Sequence, residues 1–185
     1  MDKKKIAGLV IAAIMVLSIL GVVVDFGTQP SAQKMPYGDF KFTPTQQGYT
    51  TKIDGKDFAF FYFPADLEYY AVPDNVKNLL EAPVYTVTYD PRSNLTQNFA
   101  EVQYYLEFQL EEIRFIEQGI TSGNDTLPQK TCADATAAQP VILLQQGDES
   151  KITAQESCII LQAVDGYDLY REAERIVYQI LGVMK

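Results

Sequence analysis

The chain contains no histidine, no tryptophan and only two cysteines among its 185 residues. Without histidine, the commonest general base and the commonest metal ligand are both missing, so Ser-His-Asp and Cys-His catalysis and every His-containing zinc site are excluded. Without tryptophan, a platform for stacking sugars would have to be built from tyrosine. Basic residues are scarce, 15 Lys and Arg against 24 Asp and Glu, for a net charge of −9. Three of the lysines lie among the first 24 residues with Asp2, which leaves 12 basic and 23 acidic residues beyond residue 24, net −11. A surface so acidic repels phosphate backbones and carries no basic stripe, which argues against a nucleic-acid partner. Its plain reading is solubility. Phosphate loops, dinucleotide glycine patterns, the GxSxG turn and the alternating Asp/Asn ligands of a calcium loop are all missing, so no cofactor and no metal are expected.

What is present begins with an uncharged run, Ile6 to Val24 (IAGLVIAAIMVLSILGVVV). At ~1.5 Å per residue these residues span about 28 Å, close to the hydrocarbon thickness of a bilayer. Lys3, Lys4 and Lys5 precede the run and Asp25 follows it. The positive-inside tendency keeps the lysines cytoplasmic and sends the rest outward. A cleavable signal peptide shares the basic start, but its apolar core is usually about 7–15 residues, and Val22 and Val24 make a poor small-x-small cleavage site. The expected organisation is a basic tip (1–5), a transmembrane anchor (6–24), a tether rich in small and polar residues (25–36) and one extracytoplasmic domain (37–185).

The domain reads as α+β. Alternation over Tyr37 to Thr43 predicts a half-buried strand, and Tyr49 to Ile53 a second. Asp54-Gly55 is a tight-turn signal, with Phe58 to Phe63 (FAFFYF) returning as a strand covered on both faces and ended by Pro64, giving a three-stranded antiparallel meander. A turn or two of helix follows Pro73-Asp74, and Val84 to Tyr89 (VYTVTY) is a strand. Asn94 and Gln97 have the spacing of a capping pair, and Leu95, Phe99, Val102, Leu106 and Leu110 form one apolar stripe, so a helix runs from there. A strand within 113–120 then completes a β-α-β crossover from Val84. Pro140 to Leu144 (PVILL) and Cys158 to Ala163 (CIILQA) are short buried strands of a β-hairpin, joined by the polar stretch 145–157. Asp168 to Leu181 is an amphipathic helix closed by Gly182.

Cys132 and Cys158, placed outside the cell, are expected to pair with each other, since an oxidising exterior favours one bridge over two buried thiols. Asn94-Leu95-Thr96 and Asn124-Asp125-Thr126 fit the glycosylation tripeptide, with Asn124 the better acceptor because Asn94 is assigned to capping. No catalytic residue stands out. Glu111 and Glu112 splay apart on a helix, Asp148-Glu149 falls in a polar turn, and Asp165 and Asp168 suit a helix start.

The anchor, the aromatic meander, Thr131-Cys132, PVILL, SCIIL and the ending RIVYQILGVMK together resemble a group of small membrane-anchored extracytoplasmic proteins of small-genome archaea. The resemblance implies an archaeal cell-surface location and a cysteine bridge, and it implies no activity. The expected role is a non-catalytic interaction or assembly subunit, single-pass in the cell membrane and engaging a protein partner at the surface. The alternatives are a carboxylate-based hydrolase of envelope polymers and a module binding a small solute or metal.

Overall fold

Positive-φ turns set the first sheet. In the computed structural model, which describes residues 33–123 and 127–185, β1 (Met35–Tyr37), β2 (Phe40–Thr45), β3 (Gly48–Ile53) and β4 (Lys56–Phe60) pair antiparallel in chain order. Asp54 and Gly55, at φ 50° and 85°, turn β3 into β4 as the sequence predicts. The alternation from Tyr37 to Thr43 is not one strand. Gly38, at φ 54°, folds the chain back so that Tyr37 pairs with Phe40, and the meander has four strands rather than three. β4 ends at Phe60, three residues before Phe63, and it is not covered on both faces: Phe60 is buried while Lys56, Asp57 and Ala59 are exposed. The residues beyond it turn away because the backbone amides of Phe61 and Tyr62 donate to the Glu174 carboxylate, at 2.5 and 2.9 Å.

A 3₁₀ turn at Pro64–Leu67 and the short helix α1 (Asp74–Leu79) lead to the second sheet. Its strands are β5 (Val84–Tyr89), β6 (Phe115–Gln118), β7 (Val141–Gln146), β8 (Lys151–Gln155) and β9 (Cys158–Ala163), in the order β6-β5-β7-β9-β8. The helix α2 (Thr96–Leu110) carries the chain from β5 to the parallel β6, which is the expected crossover. The expected hairpin of PVILL with CIILQA is corrected. β7 and β9 are parallel neighbours, and the polar stretch between them holds β8, which forms the hairpin with β9. Ile152 is the one fully buried side chain of β8, so its strand lacked an apolar run to announce it.

α2 and the last helix, α3 (Gly166–Ile180), lie side by side on one face of this sheet. Strand alternation turns Tyr85, Val87, Ile142, Leu144, Ile159 and Leu161 toward them, where they join Phe99, Val102, Leu106 and Leu110 of the predicted α2 stripe in a single core. α3 also meets the meander, its Tyr178 ring lying 4.2 Å from Phe60 and 6.0 Å from Phe42. It is therefore buried between two sheets. Leu169, Ala173, Ile176 and Val177 are inside as predicted, but so are Glu172, Glu174 and Arg175. Gly182, at φ 70°, ends the helix; its amide donates to Gln179 and that of Val183 to Tyr178, the paired bonds that close a helix C-terminus on a left-handed residue.

The connection from β6 to β7 crosses the other face of the sheet. There Thr88 donates to the Lys130 carbonyl at 2.8 Å, and Cys132 is bridged to Cys158 with Cα atoms 5.2 Å apart. The bridge ties this connection to the start of β9, as the sequence leads one to expect. The anchor read at residues 6–24, the tether up to residue 32 and the sequon at Asn124 lie outside the described residues. β1 begins at Met35, two residues inside the stretch read as tether. Among the described residues no helix is long and apolar enough to cross a membrane.

Candidate functional site

The start of α3 is organised by two aspartates. Asp165 caps the helix, accepting from the Asp168 amide at 2.9 Å. Asp168, in the first turn, spends both carboxylate oxygens on three donors: Tyr70 Oη at 2.8 Å and Arg171 Nη1 at 3.0 Å reach Oδ1, and Ser150 Oγ reaches Oδ2 at 2.6 Å. These bonds, Ser150's foremost, hold the Asp168 carboxyl below the usual range against the opposing effect of burial. Tyr70 moves the other way: burial, and then its bond to the Asp168 anion, push the phenol well up. The Arg171 guanidinium, held by Asp168, lies over the Tyr62 ring, 5.2 Å from its centroid.

This knot forms one wall of a cavity of about 650 Å³ between the start of α3 and the segment leaving the meander. Asp66, in the 3₁₀ turn at Pro64–Leu67, and Tyr69, just after it, also line the cavity, as does Glu149 from the β7–β8 loop. Tyr69 is 85% exposed and makes an edge-to-face contact with Tyr70, the ring centroids 5.5 Å apart. The site is polar, tyrosine-lined and assembled from segments more than a hundred residues apart.

Two further carboxylates sit deeper on α3, on opposite sides of the helix. Glu174 accepts from the Phe61 and Tyr62 amides and from Tyr105 Oη at 3.0 Å, joining α3 to both α2 and the meander exit. Burial pushes its carboxyl up to about 7, with these hydrogen bonds acting in the opposite sense. Glu172 is fully buried, and neither oxygen has a hydrogen-bond partner; the Lys151 amide approaches without reaching bonding geometry. Burial, then the negative charge of Asp168, push this carboxyl up to about 9, so at neutral pH it is a protonated acid.

A second, smaller cleft of about 430 Å³ lies beyond the C-terminal ends of β5 and β7. The chain leaves β5 toward β6 on one side and reaches β7 on the other, so this is a topological switch point, where open α/β sheets commonly hold ligands. Asp90 and Arg92, which line it, satisfy each other through two 3.1 Å bonds, leaving Ser93, Thr121, Gln145 and Gln146 as its neutral polar groups.

The structure separates the residues singled out in the sequence. Cys132 and Cys158 form the bridge and no thiol is free among the described residues. Asn94 does not cap α2. The helix starts at Thr96 with Leu95 as its N-cap and no side-chain cap, while Gln97 bonds forward to Glu101. Ser93 Oγ accepts from the Leu95 amide instead, which removes the need for Asn94, and Asn94 stands exposed. Glu112 pairs with Lys56, far from Asp168 in the fold's hydrogen bonding, and only Glu149 of the acidic turn reaches the cavity. Among the described residues no group of three or more Cys, Asp or Glu could hold a metal ion. Tyr62, Tyr69, Tyr70 and Arg171 escaped the sequence reading; the density of tyrosine in FYFPADLEYY was the one signal that pointed to them. No family model, no curated protein and no solved structure matches this chain.

Proposed function

We propose that this protein is a membrane-anchored extracytoplasmic recognition subunit, held by residues 6–24 with its N-terminus in the cytoplasm, and that its cavity binds a partner's group without turning it over. The observation that carries this reading is the knot at Asp168. A general acid or base works best with a pKa near the working pH. Here the carboxylate is held down by three donors and the adjacent phenol is driven up, so neither shuttles a proton near neutrality. What such a knot does well is fix the position of Tyr62, Tyr70 and Arg171 around an open cavity. The bridge between Cys132 and Cys158 fits an oxidising compartment, and with it the outward topology and the archaeal surface group that the sequence resembles. The alternative, a carboxylate hydrolase, would call on Glu174, whose pKa is in range; that side chain is buried and engaged by three donors.

Protease added to intact cells is expected to remove the domain, and N-terminal sequencing of the membrane-extracted protein to begin before residue 6. A photo-crosslinker at Tyr69 should capture a partner in native membranes where one at Lys52, on the meander, does not. Protection of the domain from protease reverses the topology. Hydrolysis of envelope glycans or peptides, abolished by a single Asp or Glu substitution, replaces recognition by catalysis.

A further inference from the structure

We infer that the cavity recognises an organic cation, an ammonium or guanidinium group, seated between the Tyr69 ring and the Asp66 carboxylate; this rests on the recognition reading above. The molecule already contains one completed seat of this kind in the same cavity. The Arg171 guanidinium lies over an aromatic face, Tyr62 at 5.2 Å, and donates to a carboxylate, Asp168 at 3.0 Å. That pairing offsets the Arg171 charge, which leaves less of it to attract an anionic ligand.

Asp66 and Tyr69, which line the same cavity, offer the same two components without a cation. Asp66 and Tyr69 are three residues apart where the 3₁₀ turn ends, and both line the cavity. Asp66 has no ion-pair partner among the described residues, whereas Glu149 is paired with Lys151 and Asp168 with Arg171. Counting these pairs, the cavity keeps one uncompensated negative charge. At 85% exposure most of the Tyr69 ring is open to solvent, and Tyr70 meets it in an edge-to-face contact at 5.5 Å without stacking on it. An aromatic face attracts a cation through its quadrupole, and a nearby carboxylate adds a charge-assisted hydrogen bond. The acidic surface of the whole domain raises the local concentration of cations, which would speed their arrival. A phosphate or carboxylate ligand meets the opposite conditions. A neutral polyol would gain the ring face but nothing from the unpaired charge.

The test uses the full chain in detergent micelles at moderate salt, with argininamide, spermidine and trehalose as probes and saturation-transfer NMR as the readout. Saturable binding of a cation, weakened about tenfold in Asp66→Asn/Tyr69→Ala and little affected by Lys52→Ala, supports the seat. Both substituted side chains are exposed, and circular dichroism of the variant checks that the fold is kept. Tighter binding of argininamide assigns the cation to a protein side chain, and tighter binding of spermidine to a free polyamine. Trehalose binding that is sensitive to the double variant, with cations indifferent to it, overturns the cation while leaving the cavity as the recognition site. Probes that bind equally to the chain and to its double variant overturn the site itself.

Discussion

α2 and α3 are the same length and lie in the same layer, yet they fold for different reasons. α2 has one apolar stripe against the sheet and an outer face that keeps Tyr104 and Phe108 exposed. α3 is enclosed between the sheet and the meander, and three of its charged residues are buried along with its apolar ones. The contrast shows that a stripe predicts which face of a helix is buried, and says nothing about whether the polar face is buried as well. That second fact depends on what packs on it, and here the second layer is the meander, more than a hundred residues earlier in the chain. Within α3 the contrast repeats on a smaller scale. Glu174 has three donors and Glu172 has none, although only Ala173 lies between them.

The largest expected effect breaks the α3–meander contact. Glu174→Ala leaves two backbone amides and the Tyr105 hydroxyl without their acceptor in a partly buried place, where each unpaired donor costs up to about 1–3 kcal/mol. The total loss should exceed about 3 kcal/mol in denaturant unfolding, whereas Glu174→Gln, which keeps one acceptor oxygen, should lose less. The equivalent change on α2, Glu101→Ala, removes exposed contacts to Gln97 and Tyr170 and should stay within about 0.5 kcal/mol. Equal costs on the two helices would erase the distinction between them.

Next in size is the covalent tie on the opposite face of the sheet. Cys132→Ala opens a loop with a sequence separation of 26 and should lower stability by about 2–4 kcal/mol. The strands should remain paired, because β7 and β9 keep their hydrogen-bonded register and the burial of Ile142, Leu144, Ile159 and Leu161. Loss of cooperative unfolding in this variant would mean that the bridge, rather than the core, holds the sheet together.

The parts of this fold that the sequence displayed are those decided locally. Asp54-Gly55 needs only its own positive φ values, and the Leu95-to-Leu110 stripe only a helical period. What it hid was decided at a distance. FAFFYF carries strand-forming residues to its end, but the Glu174 carboxylate draws the amides of Phe61 and Tyr62 out of the sheet. β8 has a single buried apolar side chain and owes its place to pairing with β9. The cavity was illegible for the same reason, since Tyr62 and Arg171 meet only after both sheets and α3 have assembled. Tyr37 to Phe40 misled in another way: two residues of a turn, Gly38 and Asp39, keep the alternation of a strand while reversing its direction.

A smaller effect separates Glu172 from its neighbour. Its folded pKa, about 9, and that of Glu174, about 7, lie above the ordinary value of 4.5. The folded state therefore binds more protons than the unfolded one between pH 4.5 and 9, and stability falls as pH rises through that window. The lowered pKa of Asp168 acts the other way, with its contribution lost as pH falls below the ordinary carboxylate value. Thermal stability should accordingly peak in mild acid, near pH 5. Glu172→Met removes a buried group that has no partner and should raise stability by about 1–2 kcal/mol at pH 8, with much less gain at pH 5. A pH profile unchanged by this substitution would place the proton uptake elsewhere.

The smallest expected effect distinguishes the sequence reading of α2 from its structure. If Asn94 capped the helix, Asn94→Ala would cost about 1 kcal/mol, the usual value for losing a side-chain acceptor at a helix N-terminus. In the structure the N-cap is Leu95, the amide at that position is satisfied by Ser93 Oγ, and the Asn94 side chain is exposed. Asn94→Ala should then change the unfolding midpoint by no more than an ordinary surface substitution, within about 0.5 kcal/mol, while Ser93→Ala costs more because it removes the hydrogen bond. The ordering of these two variants is the measurement that matters. Asn94 as the costlier position would restore the cap and bring the helix start forward to it. Ser93 as the costlier position places the helix start after Asn94, with Leu95 as its N-cap.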